Sequence, residues 1–213
     1  MKYIEVLCEG SSDVPTARQV LERRFKLEEG KGFRVHPHRG KGKLPSAQHL
    51  LKRPAVTDQT LLGQLPIKLK NMALQTRGAF EVVVVVLVDA DDDDPTKLGN
   101  SLAAMYEALP TKPRHCLFCI AVEETESWFI AEPSAVKKAY QEANTQELAR
   151  VASDSVCGAW ETLARALGLD PRNCTGADKH AWATAIAPYL NLHRPVSPSL
   201  ATFVSRVSGV LKT

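Results

Sequence analysis

The sequence predicts an α/β fold: a mostly parallel four-stranded central sheet flanked by helices, with a helical C-terminal portion. Three observations lead there. Residues 82–88 read VVVVVLV, an aliphatic run without polar alternation, which requires a strand covered on both faces. Apolar runs alternate with helical spacing in the order β-α-β-α-β-α-β. Beyond Pro133 only helical signals occur.

Residues 3–8 are a short β-prone run, followed by Gly10, Ser11, Ser12 and Asp13 and then by Val14, Ala17, Leu21 and Phe25 on one helical face. Ser12 or Asp13 is expected to cap this helix, and Pro15 fits its first turn, where the missing N–H has no intrahelical partner. Residues 33–36 can form a second strand, and the HPHRGKGKLP segment reads as an exposed Gly- and Lys-rich loop. Residues 61–73 have helical spacing that Pro66 is expected to kink or divide. After the aspartates, Leu98, Leu102, Met105 and Leu109 mark a helix, and residues 116–122 a further apolar strand. Helical spacing recurs over 136–143, 156–167, 181–190 and 200–211, the last with Leu200, Phe203, Val204, Val207 and Leu211 on one face. The chain thus divides into an α/β domain over residues 1–132 and a helical annex over 133–213 packed on it.

With 213 residues and 44% hydrophobic content the chain can bury one sizeable core. No stretch approaches the ~18 apolar residues that span a bilayer, and MKYIEVLCEG lacks an apolar leader, so a cytoplasmic protein without a membrane partner is expected. The five cysteines are too scattered for a disulfide framework. Cys116 and Cys119 form a C-x-x-C within a strand, where residues three apart face opposite sides, which argues against a zinc or redox pair. Net charge is only +3, but the charges are segregated. Between residues 31 and 57 lie Lys31, Arg34, Arg39, Lys41, Lys43, Lys52 and Arg53 and no acid, whereas residues 89–94 hold five aspartates.

Ligand sites in open α/β sheets lie beyond the carboxyl ends of the strands. Those ends carry Glu9, then Asp89 and Asp91, then Glu123, Glu124 and Glu126, of which Glu124 and Glu126 are preferred as ligands. Carboxylate oxygens suit hard cations, here one or two Mg²⁺ or Mn²⁺. Asp89 closes a buried strand, and its charge requires compensation for lost hydration. Asp92, Asp93 and Asp94 read as a solvated acidic turn, with Asp94 before Pro95 as the N-cap of the next helix. Arg39, Lys41 and Lys43 are candidates to hold a nucleic-acid backbone, the alternative being a solvated, mobile surface loop. Lys179 is a candidate catalytic residue that neutralises transition-state charge. His36 and His38 form an H-x-H, a candidate ligand pair or general base.

E-G-S-S-D (residues 9–13) and V-D-A-D (88–91) resemble the two signatures of Toprim domains, a Glu after the first strand and a D-x-D after the third. E-E-T-E-S-W-F-I-A-E-P (123–133), with Lys179, W-A-T-A-I-A-P (182–188) and S-P-S-L-A-T-F (197–203), resembles the bacterial domain-of-unknown-function family 4276 over nearly the whole chain. The resemblance implies a Toprim-like, Rossmann-like fold with a helical C-terminal portion. It also implies acids that hold Mg²⁺ for phosphodiester chemistry, as in topoisomerases, primases, small ribonucleases and overcoming-lysogenization-defect nucleases. A setting beside a partner ATPase and a role in defence against phage are implied as well. One departure is that many members read E-G-x-T-E, where this chain has the shorter Asp13, which would act through water. The expected activity is that of a Mg²⁺- or Mn²⁺-dependent nuclease, a hydrolase acting on DNA or RNA with Glu9, Asp89, Asp91 and Lys179 as its catalytic residues. The alternative is a non-catalytic metal-binding or interaction subunit of the partner ATPase complex. A phosphotransfer domain with Asp89 as acceptor would need an acidic pair after the first strand and a Lys after the last, and neither is present.

Overall fold

The computed structural model describes residues 2–75, 80–155 and 158–212. Strands β1 (Lys2–Cys8), β2 (Phe33–Pro37), β3 (Glu81–Asp89) and β4 (His115–Ala121) form a sheet in the order β2-β1-β3-β4, and every pairing is parallel. The fold is α/β, with the expected helices on both faces and at the C-terminus.

The valine run shows why its residues do not alternate. Val83, Val85 and Leu87 join one apolar cluster, which also contains Ile4, Val6 and Cys8 of β1. Val84, Val86 and Val88 join another on the opposite face. The first face is covered by helix α1 (Asp13–Gln19, continuing through a wider turn at Val20–Arg24) and by the C-terminal helices. The second is covered by α2 (Leu61–Leu74) and α3 (Pro95–Ala108). The same alternation puts Cys119 in the first cluster and Cys116 against the second, and burial pushes both thiols up to about 12.

Of the two outcomes expected at Pro66, a division does not occur: α2 runs undivided from residue 61 to 74 with Pro66 inside it. A proline inside a helix costs about 3 kcal/mol. Leu61, Leu62, Leu65 and Leu69 are all buried on the same helix, each worth about 2 kcal/mol, so packing outweighs the lost hydrogen bond.

Past residue 121 the chain adds α4 (Ser127–Ile130), α5 (Pro133–Ala139), α6 (Thr145–Leu148), α7 (Ala159–Ala166), α8 (Gly176–Ile186) and α9 (Pro198–Lys212). Val156, the expected start of one helix, lies outside the described residues. The C-terminal helices share the first cluster with the sheet. Trp128 stacks on Phe203 and donates its indole N–H to Ser199 Oγ at 2.7 Å, tying α4 to α9. Among the described residues no helix is long and apolar enough to cross a membrane.

The Gly- and Lys-rich loop is tethered rather than loose. Gly40 N–H donates to the Glu9 carbonyl, and the carbonyls of Gly40 and Lys41 accept from Leu61 and Leu62, satisfying the open N–H groups that begin α2. Gly42 has φ +67°, and a Cβ there would sit 2.0 Å from Thr60 Oγ1. Gly42→Ala is therefore expected to lower stability by about 1–3 kcal/mol, read from the urea midpoint. An unchanged midpoint would mean that this anchoring contributes nothing.

Candidate metal centre

In the order β2-β1-β3-β4 the connections diverge between β1 and β3, and α1 and α3 lie on opposite faces. The crevice beyond the carboxyl ends of these two strands is the topological switch point, where open α/β sheets bind ligands. Glu9 leaves β1 there and Asp89 ends β3 there. Asp89 is paired with Ala121 in the parallel register of β3 and β4, so the turn after β4 carries Glu124 and Glu126 to the same pole, where their charges act on Asp89.

Asp89 is the centre of this group. It is 8% exposed, and its Oδ1 is buried without a hydrogen-bond partner. Burial, followed by the charges of Asp13, Glu9, Glu126 and Glu124, holds its carboxyl far above the usual range. Glu126, 1% exposed, has both carboxylate oxygens buried and unbonded, and burial pushes it up to about 8 against the pull of Lys179. Glu9 is pushed up to about 7, by burial first and then by Asp91 and Asp13, and its Oε2 also has no partner. Glu124 is raised by burial, and its Oε2 is likewise unbonded.

Lys179 faces two of these acids, while the charge of Lys41 acts on Glu9. The Lys179 ammonium lies 3.0 Å from Glu124 and 3.6 Å from Glu126. Burial opposes its charge, but Glu126 and Glu124 more than compensate and raise its pKa. The capping box formed by Thr175 and Asp178 fixes the start of α8, and Lys179 lies on the same stripe as buried Trp182, Ala183 and Ile186. That spacing is a sequence signal that this lysine points inward.

Asp13 does more than its sequence pattern indicated. It is not the N-cap of α1, and Ser12 makes no side-chain cap bond either. Asp13 instead turns inward, 2% exposed, and accepts from Gly10 N–H (2.8 Å) and Thr125 Oγ1 (2.9 Å). It thereby joins the turn after β1 to the turn after β4. Its raised pKa comes from burial, offset by those bonds and by Lys179.

Glu123 is occupied elsewhere. Its backbone adopts φ +60°, its carbonyl accepts from Asp91 N–H, and its carboxylate accepts from Gly158 and Ala159 N–H at the start of α7. Asp91, at φ +49° and half exposed, pairs with Lys41 at 3.2 Å. Lys41 also donates to the Ala90 carbonyl (2.7 Å) and to Asp93 (2.6 Å). The lysine expected to meet a nucleic-acid backbone thus staples the aspartate turn. Asp93, expected to be merely solvated, is part of that staple. Asp94 caps α3 as expected, accepting from Thr96 and Lys97 N–H. Arg39 and Lys43 are exposed and make no ion pair among the described residues.

His36 and His38 are engaged separately. His36 Nε2 bonds Glu5 at 2.6 Å, whereas His38 Nδ1 donates to the Cys8 carbonyl at 2.8 Å.

Among the described residues no three His, Cys, Asp or Glu side chains are arranged to hold a metal ion as they stand. Lys179 pairs with two of the carboxylates, Glu124 and Glu126. The donor set nevertheless fits a hard divalent cation: oxygens only, several of them buried and unbonded, on three strand ends. Comparison with family models, curated proteins and solved structures finds no match to this chain.

Proposed function

We propose that this chain is a Mg²⁺- or Mn²⁺-dependent phosphodiesterase acting on nucleic acid, of the Toprim-like kind that its sequence resembles. The observation that carries the reading is the excess of buried, unbonded carboxylate oxygen at the β1/β3 switch point, on Glu9, Asp89, Glu124 and Glu126. Buried charge of one sign is strongly unfavourable unless it is protonated or paired, and a divalent cation pairs it at neutral pH.

Glu9, Asp89, Glu126 and Glu124 would hold the cation, and Asp91, now paired with Lys41, would be a further donor. A cation bound there would supply electrostatic stabilisation of the charge that develops on a phosphodiester under attack. The remaining groups position these. Asp13 fixes the turn carrying Glu9 through Gly10, Lys41 fixes the D-x-D turn, and Lys179 orients Glu124 while contributing positive charge beside the reacting phosphate. The resemblance extends the proposal to a setting beside an ATPase and to defence against phage.

The test is incubation of purified protein with labelled DNA and RNA in Mg²⁺ or Mn²⁺, alone and with any neighbouring ATPase. Glu9→Gln is expected to reduce cleavage by about 10²–10³-fold, the scale of losing one electrostatic stabiliser. Equal cleavage by wild type and variant sinks the mechanism. Intact metal binding without cleavage in any combination favours the interaction-subunit reading.

A further inference from the structure

Three clefts open around the acidic pole, and their linings differ in charge. One, of about 670 Å³, is bounded by Asp91 to Asp94 together with Lys41, Lys43 and Lys97. Another, of about 330 Å³, is lined by Asp91, Asp92, Glu123, Glu124 and Glu161. The third, of about 590 Å³, lies between the end of β2, the turn after β1 and helix α2. Its polar walls are Ser11, His38, Arg39, Gln59, Gln64 and Lys68, and no acid lines it. A polyanion approaching the pole meets carboxylates on the first two sides and cations alone on the third.

Two further facts point to a ligand in the third cleft. Lys68 and Arg39 have no acidic partner among the described residues, and Lys68 is half-buried, with burial alone lowering its pKa. A desolvated ammonium without a counter-ion is costly, and an anion relieves that cost. His38 is 9% exposed. Its Nδ1 must carry a proton to donate to the Cys8 carbonyl, which leaves Nε2 buried with no partner. For Nε2 to donate to a phosphate oxygen the ring must take a second proton from solvent, which burial and then the charges of Lys68 and His36 oppose and the negative charge of a phosphate offsets. The cleft is also adjacent to the acids through the backbone. Both His38 N–H and Nδ1–H are bonded to Cys8, and the next residue is Glu9.

We infer that this cleft is the subsite for a backbone phosphate of the nucleic acid, gripped by Lys68, Arg39 and His38, so that the strand enters from the β2 side. The inference rests on the nucleic-acid reading above, and it moves the phosphate contact from Lys41 and Lys43 to a different cleft, where Arg39 is joined by Lys68 and His38.

The experiment is binding of a fluorescent 20-nucleotide strand and its duplex to the full chain in EDTA, where cleavage does not intervene, over a range of salt. Wild type is expected to bind with an affinity that falls steeply with salt. Lys68→Gln and Arg39→Gln should each weaken binding several-fold and reduce the salt slope by about one. His38→Gln should weaken binding as well. Arg114→Gln, at the opposite end of the strands, should behave as wild type. Variants at 68, 39 and 38 that bind like wild type overturn the subsite while leaving the nucleic-acid reading intact. A wild type without salt-dependent binding overturns both. Circular dichroism of each variant separates lost contacts from lost folding.

Discussion

Asp89→Asn is expected to abolish metal-dependent cleavage and, in the same protein, to raise the melting temperature of the metal-free chain at pH 8. Most buried substitutions destabilise. Here the wild-type carboxyl is buried among four like charges, and Asn keeps its shape without its charge. The sign follows from proton binding. Glu9 and Glu126 have folded values of about 7 and 8 against ordinary values of 4.5, and Asp89 is raised in the same direction. Between pH 4.5 and 8 the folded chain therefore holds protons that the unfolded chain has released, and its stability falls as pH rises through that window. Each tenfold difference in proton affinity corresponds to about 1.4 kcal/mol. For a chain of this length, each kcal/mol moves the melting temperature by about 2–4 °C. Wild type in EDTA should thus melt lower at pH 8 than at pH 5, and Asp89→Asn should recover part of the difference. Mg²⁺ or Mn²⁺ should stabilise wild type most at pH 8 and leave Asp89→Asn almost unaffected. Calorimetric scans at the two pH values decide it, and a lower melting temperature for Asp89→Asn in EDTA at pH 8 overturns the electrostatic account.

Lys179→Met should act in the opposite direction, with a loss of about 3–5 kcal/mol at pH 8, the usual penalty for removing one partner of a buried ion pair. Its ammonium lies within reach of both Glu124 and Glu126 and 5.8 Å from the centre of the Trp160 ring, and methionine keeps an unbranched apolar stem without the charge. The loss should shrink at pH 5, where Glu126 takes up a proton. Combining Lys179→Met with Glu126→Gln should restore much of the stability, because neither charge is then left alone. Urea unfolding of the four proteins closes the cycle. A single variant within about 0.5 kcal/mol of wild type would place Lys179 with ordinary surface lysines.

The strands and the pole were legible because their signals are local. The valine run ends in Asp89 within one segment, and Glu9 follows β1 directly, so both could be placed at strand ends from spacing alone. The partners of the charged residues were not legible, because they come from distant parts of the chain. Lys41 reads as a loop cation until the turn at Asp91 and Asp93 folds against it. Asp13 reads as a helix cap, since Asp before a helical run usually is one, but the Thr125 hydroxyl draws it inward across the sheet. Glu123, Glu124 and Glu126 could not be told apart because the backbone at Glu123 reverses to positive φ, which sends its carboxylate to α7 rather than toward Asp89. Pro66 misleads for a related reason: local propensity is outweighed by leucine burial against a sheet the sequence window does not contain.

The position of Lys179 in the chain also sets an order in time. A chain is synthesised from its N-terminus, and every carboxylate of the pole leaves the ribosome before this lysine does. Until α8 emerges, pairing β1, β3 and β4 gathers the acids without their internal cation. Early closure of the pole is therefore resisted by its own charge, and docking of the C-terminal helices is the step that relieves it.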